Sequence, residues 1–211
     1  DTPDLTFGNL IHGCLNDFFK RVGEPDRNFE TLRKLFEEKF KRNFEKHRKI
    51  FGTKENIIKY VRESQKQFKF FLASDFAKGN PLLIEEFPKY SYSTDLELGG
   101  KFDRVDLIDE ELVLIDYKTG KYNNDKGNDN KFQLDFYEYL LVKKYPKYKV
   151  AKKIFFYLKE NQVIEETATE NIDIVEKEIL EIAEIIGNDK ELKPRRNALC
   201  NFCDYKVICP L

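Results

Sequence analysis

Apolar residues recur along this chain first at helical spacing and then at strand spacing. Leu10, Ile11, Leu15, Phe18 and Phe19 fall near i, i+4 and predict an amphipathic helix over 5–22. Helical patterns follow over roughly 29–47 and 54–76. Their aromatic stripes Phe36, Phe40, Phe44 and Phe68, Phe70, Phe71, Phe76 read as core, with Lys and Glu on the other faces. His47 sits in no motif and is read as a surface residue. Gly79-Asn80-Pro81 breaks the third helix, and 81–93 reads as one strand. From Gly99 to Gly120 the string GGKFDRVDLIDEELVLIDYKTG predicts an antiparallel hairpin around an acidic turn, Asp109-Glu110-Glu111. Phe102, Val105, Leu107 and Ile108 precede that turn, and Leu112 to Ile115 follow it. The polar, Gly- and Asn-rich segment 121–131 reads as a loop, either a solvated connector or a mobile element touching substrate. A helix over 130–145, a hairpin over 150–166 and a Glu-rich helix over 171–186, capped by Gly187, complete the pattern.

Charge in the central hairpin falls where an ordinary strand would not carry it. Asp103 and Asp106 interrupt the first strand, and Asp116 and Lys118 end the second. Residues two apart on a strand share a face, so Asp116 and Lys118 project side by side. Asp103 can reach that face from the neighbouring strand. Two carboxylates and an ammonium at the end of an apolar hairpin suit a divalent cation, or else form an exposed salt bridge.

The 211 residues suit one domain with a sizeable core, and 41% hydrophobic content with 19 Phe and 11 Tyr argues for a folded protein. The net charge of −1 supplies no global field for nucleic acid, so phosphate binding must be local. No apolar run approaches the about 20 residues of a membrane-spanning helix, and the first residues lack signal-peptide character. No membrane partner is expected, and a cytoplasmic location is the default. Met is absent throughout, which fits an excised or processed piece. Of four cysteines, Cys200, Cys203 and Cys209 form a C-x2-C-x5-C tail. Such spacing serves a soft-metal centre, a zinc site, a Cys200–Cys203 redox pair or plain buried cysteines. Arg195 and Arg196 precede the tail, as phosphate contacts or as a solvated pair.

The string G-x-x-D, an apolar stretch, then I-D-Y-K-T-G resembles the core motif of the PD-(D/E)XK nucleases, in particular their RecB-like branch. The resemblance implies an α/β, restriction-endonuclease-like fold: a central mixed sheet flanked by helices, with an N-terminal helical segment and a C-terminal cysteine-rich tail. It implies catalytic roles for Asp103, Asp116 and Lys118. It also implies Mg²⁺ or Mn²⁺ held by His12, Asp103, Asp116 and the Tyr117 backbone carbonyl. His12 matches G-x-x-x-H with Gly8, and Gln133 with Tyr137 matches the family's Q-x-x-x-Y, associated with DNA contact. Either Glu85 or Glu86 would stand at the site's edge. Members with an iron–sulfur tail end in a string similar to CNFCDYKVICP. By that resemblance Cys200, Cys203 and Cys209 hold a 4Fe–4S cluster, with Cys14 or a cysteine upstream of this chain as fourth ligand. The implied division is a nuclease domain over 1–194, with a helical flank about 27–78 and a core about 80–187, and a tail, 195–211, closing onto the first helix. The implied activity is metal-dependent hydrolysis of DNA, exonucleolytic on single-stranded ends, in repair, recombination or CRISPR adaptation. A helicase or other nuclease-complex subunits would be its partners. Two alternatives stand beside it: a catalytically silent DNA-binding or iron–sulfur module of the same fold, and a non-nuclease iron–sulfur or zinc protein.

Overall fold

The computed structural model describes residues 2–122, 127–191, 193–197, 200, 201 and 203–210. They pack as two compact units, Asp1–Ile172 and Asp173–Leu211. The first unit opens with four helices, α1 (Pro3–Lys20), α2 (Phe29–Arg42), α3 (Phe44–Phe51) and α4 (Lys54–Ala73). Short polar residues start three of them: the side chains of Thr2, Asn28 and Thr53 each accept a backbone N–H of the first turn. The segment expected as one helix over 29–47 breaks at Asn43, whose φ of −125° leaves the helical region and starts α3. That break turns the aromatic stripe. Phe36 is buried, but Phe44 is 46% exposed. It also overturns the reading of His47 as a surface residue. His47 is 6% exposed, its Nδ1 is 2.8 Å from the Phe40 carbonyl oxygen, and Phe40 and Phe51 flank its ring.

Strands β1 (Pro81–Ile84), β4 (Arg104–Ile108), β5 (Glu111–Lys118), β6 (Lys149–Tyr157) and β7 (Gln162–Thr167) form a five-stranded sheet in the order β1-β4-β5-β6-β7. Only β5 and β6 pair in parallel, joined through α5 (Gly127–Lys144), so the sheet is mixed and helix-flanked, as the family resemblance implies. The strand expected over 81–93 is instead two pieces. Glu85, with φ of +48°, turns the chain out of β1, and β2 (Lys89–Ser91) pairs with β3 (Glu97–Gly99) as a separate ribbon. The loop expected over 121–131 is shorter than the sequence suggests, because α5 already starts at Gly127; residues 123–126 lie outside the described residues.

Alternation sorts the central strands. Val113, Ile115 and Tyr117 of β5 join Ile154 and Phe156 of β6 in one core with Phe7, Ile11, Phe18, Phe36, Phe68 and Phe71 from the first helices. Each such side chain contributes roughly 2 kcal/mol by leaving water. Leu114, Asp116 and Lys118 point the other way, as the two-residue period requires. Beneath the helices Arg104 is wholly buried. It donates to both oxygens of Asp106 at 2.6 Å, to the Phe76 carbonyl at 2.7 Å and to the Tyr117 hydroxyl at 3.3 Å. Asp106 is thus spent on Arg104. Arg104→Met strands the Asp106 carboxylate and is expected to lower unfolding free energy by about 3–5 kcal/mol in urea titrations.

The second unit carries α6 (Ile172–Asn188), which starts at the boundary and runs past Gly187, followed by the cysteine-bearing tail. Among the described residues, no helix is long and apolar enough to cross a membrane.

Candidate functional site

At one end of the sheet the first unit opens into a cleft of about 630 Å³. Gly8 and His12 of α1, Glu85, Asp103, Asp116, Lys118, and Gln133 and Tyr137 of α5 all line it. Each is delivered by a different piece of backbone logic. Asp116 and Lys118 sit on the same face of β5. Asp103 precedes β4, and because Arg104 pairs with Ile115, it lies beside Asp116 in the ladder. Its Oδ2 accepts the Tyr117 backbone N–H at 2.9 Å, so the carboxylate takes over where strand pairing stops. Its Oδ1 lies 2.9 Å from His12 Nδ1. Asp103 as a carboxylate requires the hydrogen on Nδ1, leaving Nε2 as the lone-pair nitrogen.

Glycines set two of the close approaches. A Cβ on Gly8 would stand 3.0 Å from Thr119 Oγ1, so this glycine lets α1 settle against the end of β5 and fixes the height of His12 one turn later. A Cβ on Gly100 would come within 2.7 Å of the Tyr137 ring, which fills that space instead.

The polar side chains form a chain of contacts. Lys118 Nζ donates to Gln133 Oε1 at 2.8 Å, and Gln133 Nε2 donates to the Tyr137 hydroxyl at 3.1 Å. Lys118 Nζ is also 2.8 Å from Asp116 Oδ2, an ion pair by distance. The two charges attract electrostatically, without the directional geometry of a hydrogen bond. Asp116 Oδ2 is buried without a hydrogen-bond partner, on a residue that is 5% exposed. Burial, then the charge of Asp103, push the Asp116 carboxyl up to about 6, against the pull of Lys118 and His12. For His12 burial works downward, but the hydrogen bond to Asp103 and the charges of Asp103, Asp116 and Glu85 outweigh it. Its pKa lies above the ordinary 6.5.

Among the described residues no three His, Cys, Asp or Glu side chains already stand as a metal cage. The donors pair with their neighbours instead, His12 with Asp103 and Asp116 with Lys118. The composition still fits a hard divalent cation: an imidazole and two carboxylates, one of which, Asp116, keeps a buried oxygen that accepts no hydrogen bond.

Of the two glutamates considered at the edge, Glu85 lines the cleft and Glu86 is exposed. Glu85 accepts from Asn16 Nδ2 at 2.5 Å and pairs with Lys101 at 3.1 Å. Asn16, Lys101 and Thr119 escaped the sequence reading. Asn16 alone had a signal, lying one helical turn after His12 on α1.

In the second unit Cys200, Cys203 and Cys209 line one cavity of about 240 Å³ together with Arg196 and Lys206. All are free thiols. Arg195 and Arg196 are exposed. Cys14 belongs to the first unit, where it is 0% exposed within the apolar core, and burial pushes its thiol well above the ordinary range.

A family model described as the PD-(D/E)XK nuclease superfamily matches residues 1–210. No curated protein matches the sequence. A solved structure titled "Crystal structure of SSO0001" is similar over 98% of this chain and 96% of that one, at 17% identity and a TM-score of 0.45. A likeness of that size carries no further argument.

Proposed function

From the premise that the chain belongs to the PD-(D/E)XK nuclease superfamily, we propose that the cleft of the first unit hydrolyses phosphodiester bonds in DNA. We further propose a RecB-like exonuclease acting on single-stranded ends, within repair, recombination or CRISPR adaptation and alongside a helicase or other nuclease subunits. Nucleases of this superfamily generally use divalent metals. The observation that carries the reading is the convergence of His12, Asp103, Asp116 and Lys118 on one cleft, with a buried Asp116 oxygen left without a hydrogen-bond donor.

In this reading His12, Asp103, Asp116 and the Tyr117 carbonyl hold Mg²⁺ or Mn²⁺. When bound, the cation supplies Lewis acidity toward the phosphate and toward water. Asp103, anchored by the Tyr117 N–H, keeps one carboxylate fixed in direction. Lys118 presents its ammonium to the attacking water and to the charge that grows on the phosphate oxygens. Gln133 holds Lys118 at 2.8 Å and is itself held by Tyr137, so the amine is preorganised before substrate arrives. Asp116 must give up its proton for a cation to bind. Because its carboxyl titrates at about 6 and His12 above 6.5, Mn²⁺ affinity is expected to fall at least roughly fortyfold from pH 7.5 to 5.5. Calorimetric Mn²⁺ titrations across that range, with proton release measured by buffer exchange, check it.

The tail cavity is proposed as a soft-metal site, iron–sulfur or zinc, carried by Cys200, Cys203 and Cys209. Cys14 is held as a buried thiol, so the three tail cysteines carry that part of the reading.

End-labelled single- and double-stranded DNA incubated with Mg²⁺, Mn²⁺ or EDTA tests the whole. Metal-dependent shortening of single strands is expected. No cleavage under any divalent ion, with the protein folded, favours the silent DNA-binding module instead.

A further inference from the structure

A second cleft, of about 380 Å³, continues from the first and shares Asp4, Thr119 and Gly120 with it. Its rim carries three ammonium groups from three separate elements: Lys59 on α4, Lys121 after β5, and Lys159 in the β6–β7 turn. Two hydrogen bonds hold the latter pair of segments together. Leu158 N–H donates to the Lys118 carbonyl at 2.9 Å, and Tyr122 N–H donates to Glu160 Oε2 at 2.9 Å. Tyr60, packed on the buried Phe7, gives the cleft one partly exposed aromatic ring, and its hydroxyl donates to Asp4 Oδ1 at 2.8 Å. Asp4 and Glu63 also line the cleft, each engaged by a neutral donor, Tyr60 and Gln67. Among the described residues none of the three lysines is paired with a carboxylate, whereas Lys39, Lys101, Arg104, Lys118, Lys131, Lys152 and Lys153 of the first unit are.

We propose that this cleft binds the backbone and bases of single-stranded nucleic acid beside the scissile phosphate, with Lys59, Lys121 and Lys159 on successive phosphates. The inference rests on the nuclease reading and adds to it a path for the strand. Thr119 and Gly120 connect the catalytic lysine to this rim, so a strand leaving Lys118 meets ammonium groups that, among the described residues, pair with no carboxylate. A charged rim beside a partly exposed Tyr60 ring is an arrangement that holds single strands, because phosphates need cations and unstacked bases need a flat apolar partner. A chain of net charge −1 can bind a polyanion only through such a local excess.

Fluorescence anisotropy in EDTA, where cleavage cannot interfere, tests the path with a labelled single strand of about a dozen nucleotides. The combined Lys59→Ala, Lys121→Ala, Lys159→Ala protein is expected to bind on the order of a hundredfold more weakly at about 0.1 M salt. Its plot of log affinity against log salt is expected to be flatter by about 2, at roughly 0.7 per lost phosphate contact. The matching triple Lys→Arg protein keeps the parent's affinity, and both keep its melting temperature. Unchanged affinity and slope in the alanine protein overturn the proposal, and so does an equal loss on blunt duplex. Mg²⁺-dependent cleavage by the unsubstituted protein is read separately. A parent that cleaves while the alanine protein binds normally overturns this path alone; a parent that neither binds nor cleaves overturns both readings.

Discussion

Asp116→Asn is expected to abolish DNA cleavage, by on the order of a thousandfold or more, while leaving the protein at least as stable as before. The activity loss follows from removing a charged oxygen from the cation, whose transition-state stabilisation is worth several kcal/mol. The stability effect has the opposite sign because the native carboxylate sits where it is disfavoured. Its folded pKa of about 6 exceeds the unfolded value near 3.9. Between those values the folded state binds more protons than the unfolded one, so metal-free stability falls as pH rises from about 4 to 6. Asparagine removes that slope. Thermal melts in EDTA at several pH values, beside a cleavage time course, separate the two effects. An Asp116→Asn protein that still cleaves removes Asp116 from the chemistry.

Lys118→Ala is expected to lower kcat by about 10²–10³ with divalent ion saturating, the size seen when one preorganised charge-stabilising donor is lost. A second signature identifies the cause. Lys118 pulls the Asp116 carboxyl down, so its removal moves Asp116 above about 6 and shifts the acid limb of the pH–rate profile upward. A lysine serving only the fold would change stability and leave kcat in place. Retained kcat with an unmoved acid limb contradicts the role.

Much of this architecture is visible in the sequence because it is local. The apolar runs on either side of Asp109 dictate the hairpin, and the two-residue period places Asp116 and Lys118 together before any coordinates are known. Helical period does the same for Gln133 and Tyr137. The parts that escape are those decided by distant partners. Nothing near Glu85 announces a φ of +48°; its backbone N–H meets the Asp103 carbonyl, and its side chain meets Asn16 and Lys101. The charge of Asp106 within an apolar strand has no visible reason in the sequence until Arg104, two positions earlier, is seen buried on the same face. His47 reads as polar surface because its partner is a backbone carbonyl, which no side-chain pattern encodes. Asn43 breaks α2 from α3 without a proline or glycine to mark it. Lys59, Lys121 and Lys159 are ordinary solvated lysines in sequence, and only the fold brings them to one rim.

Crystals soaked in Mn²⁺ and measured at its absorption edge test the central claim most directly. The account predicts an anomalous peak between the carboxylates of Asp103 and Asp116, next to His12, and its disappearance in Asp116→Asn. A Mn²⁺ peak elsewhere in the first unit, with Asp103 still paired to His12 and Asp116 to Lys118, would contradict it.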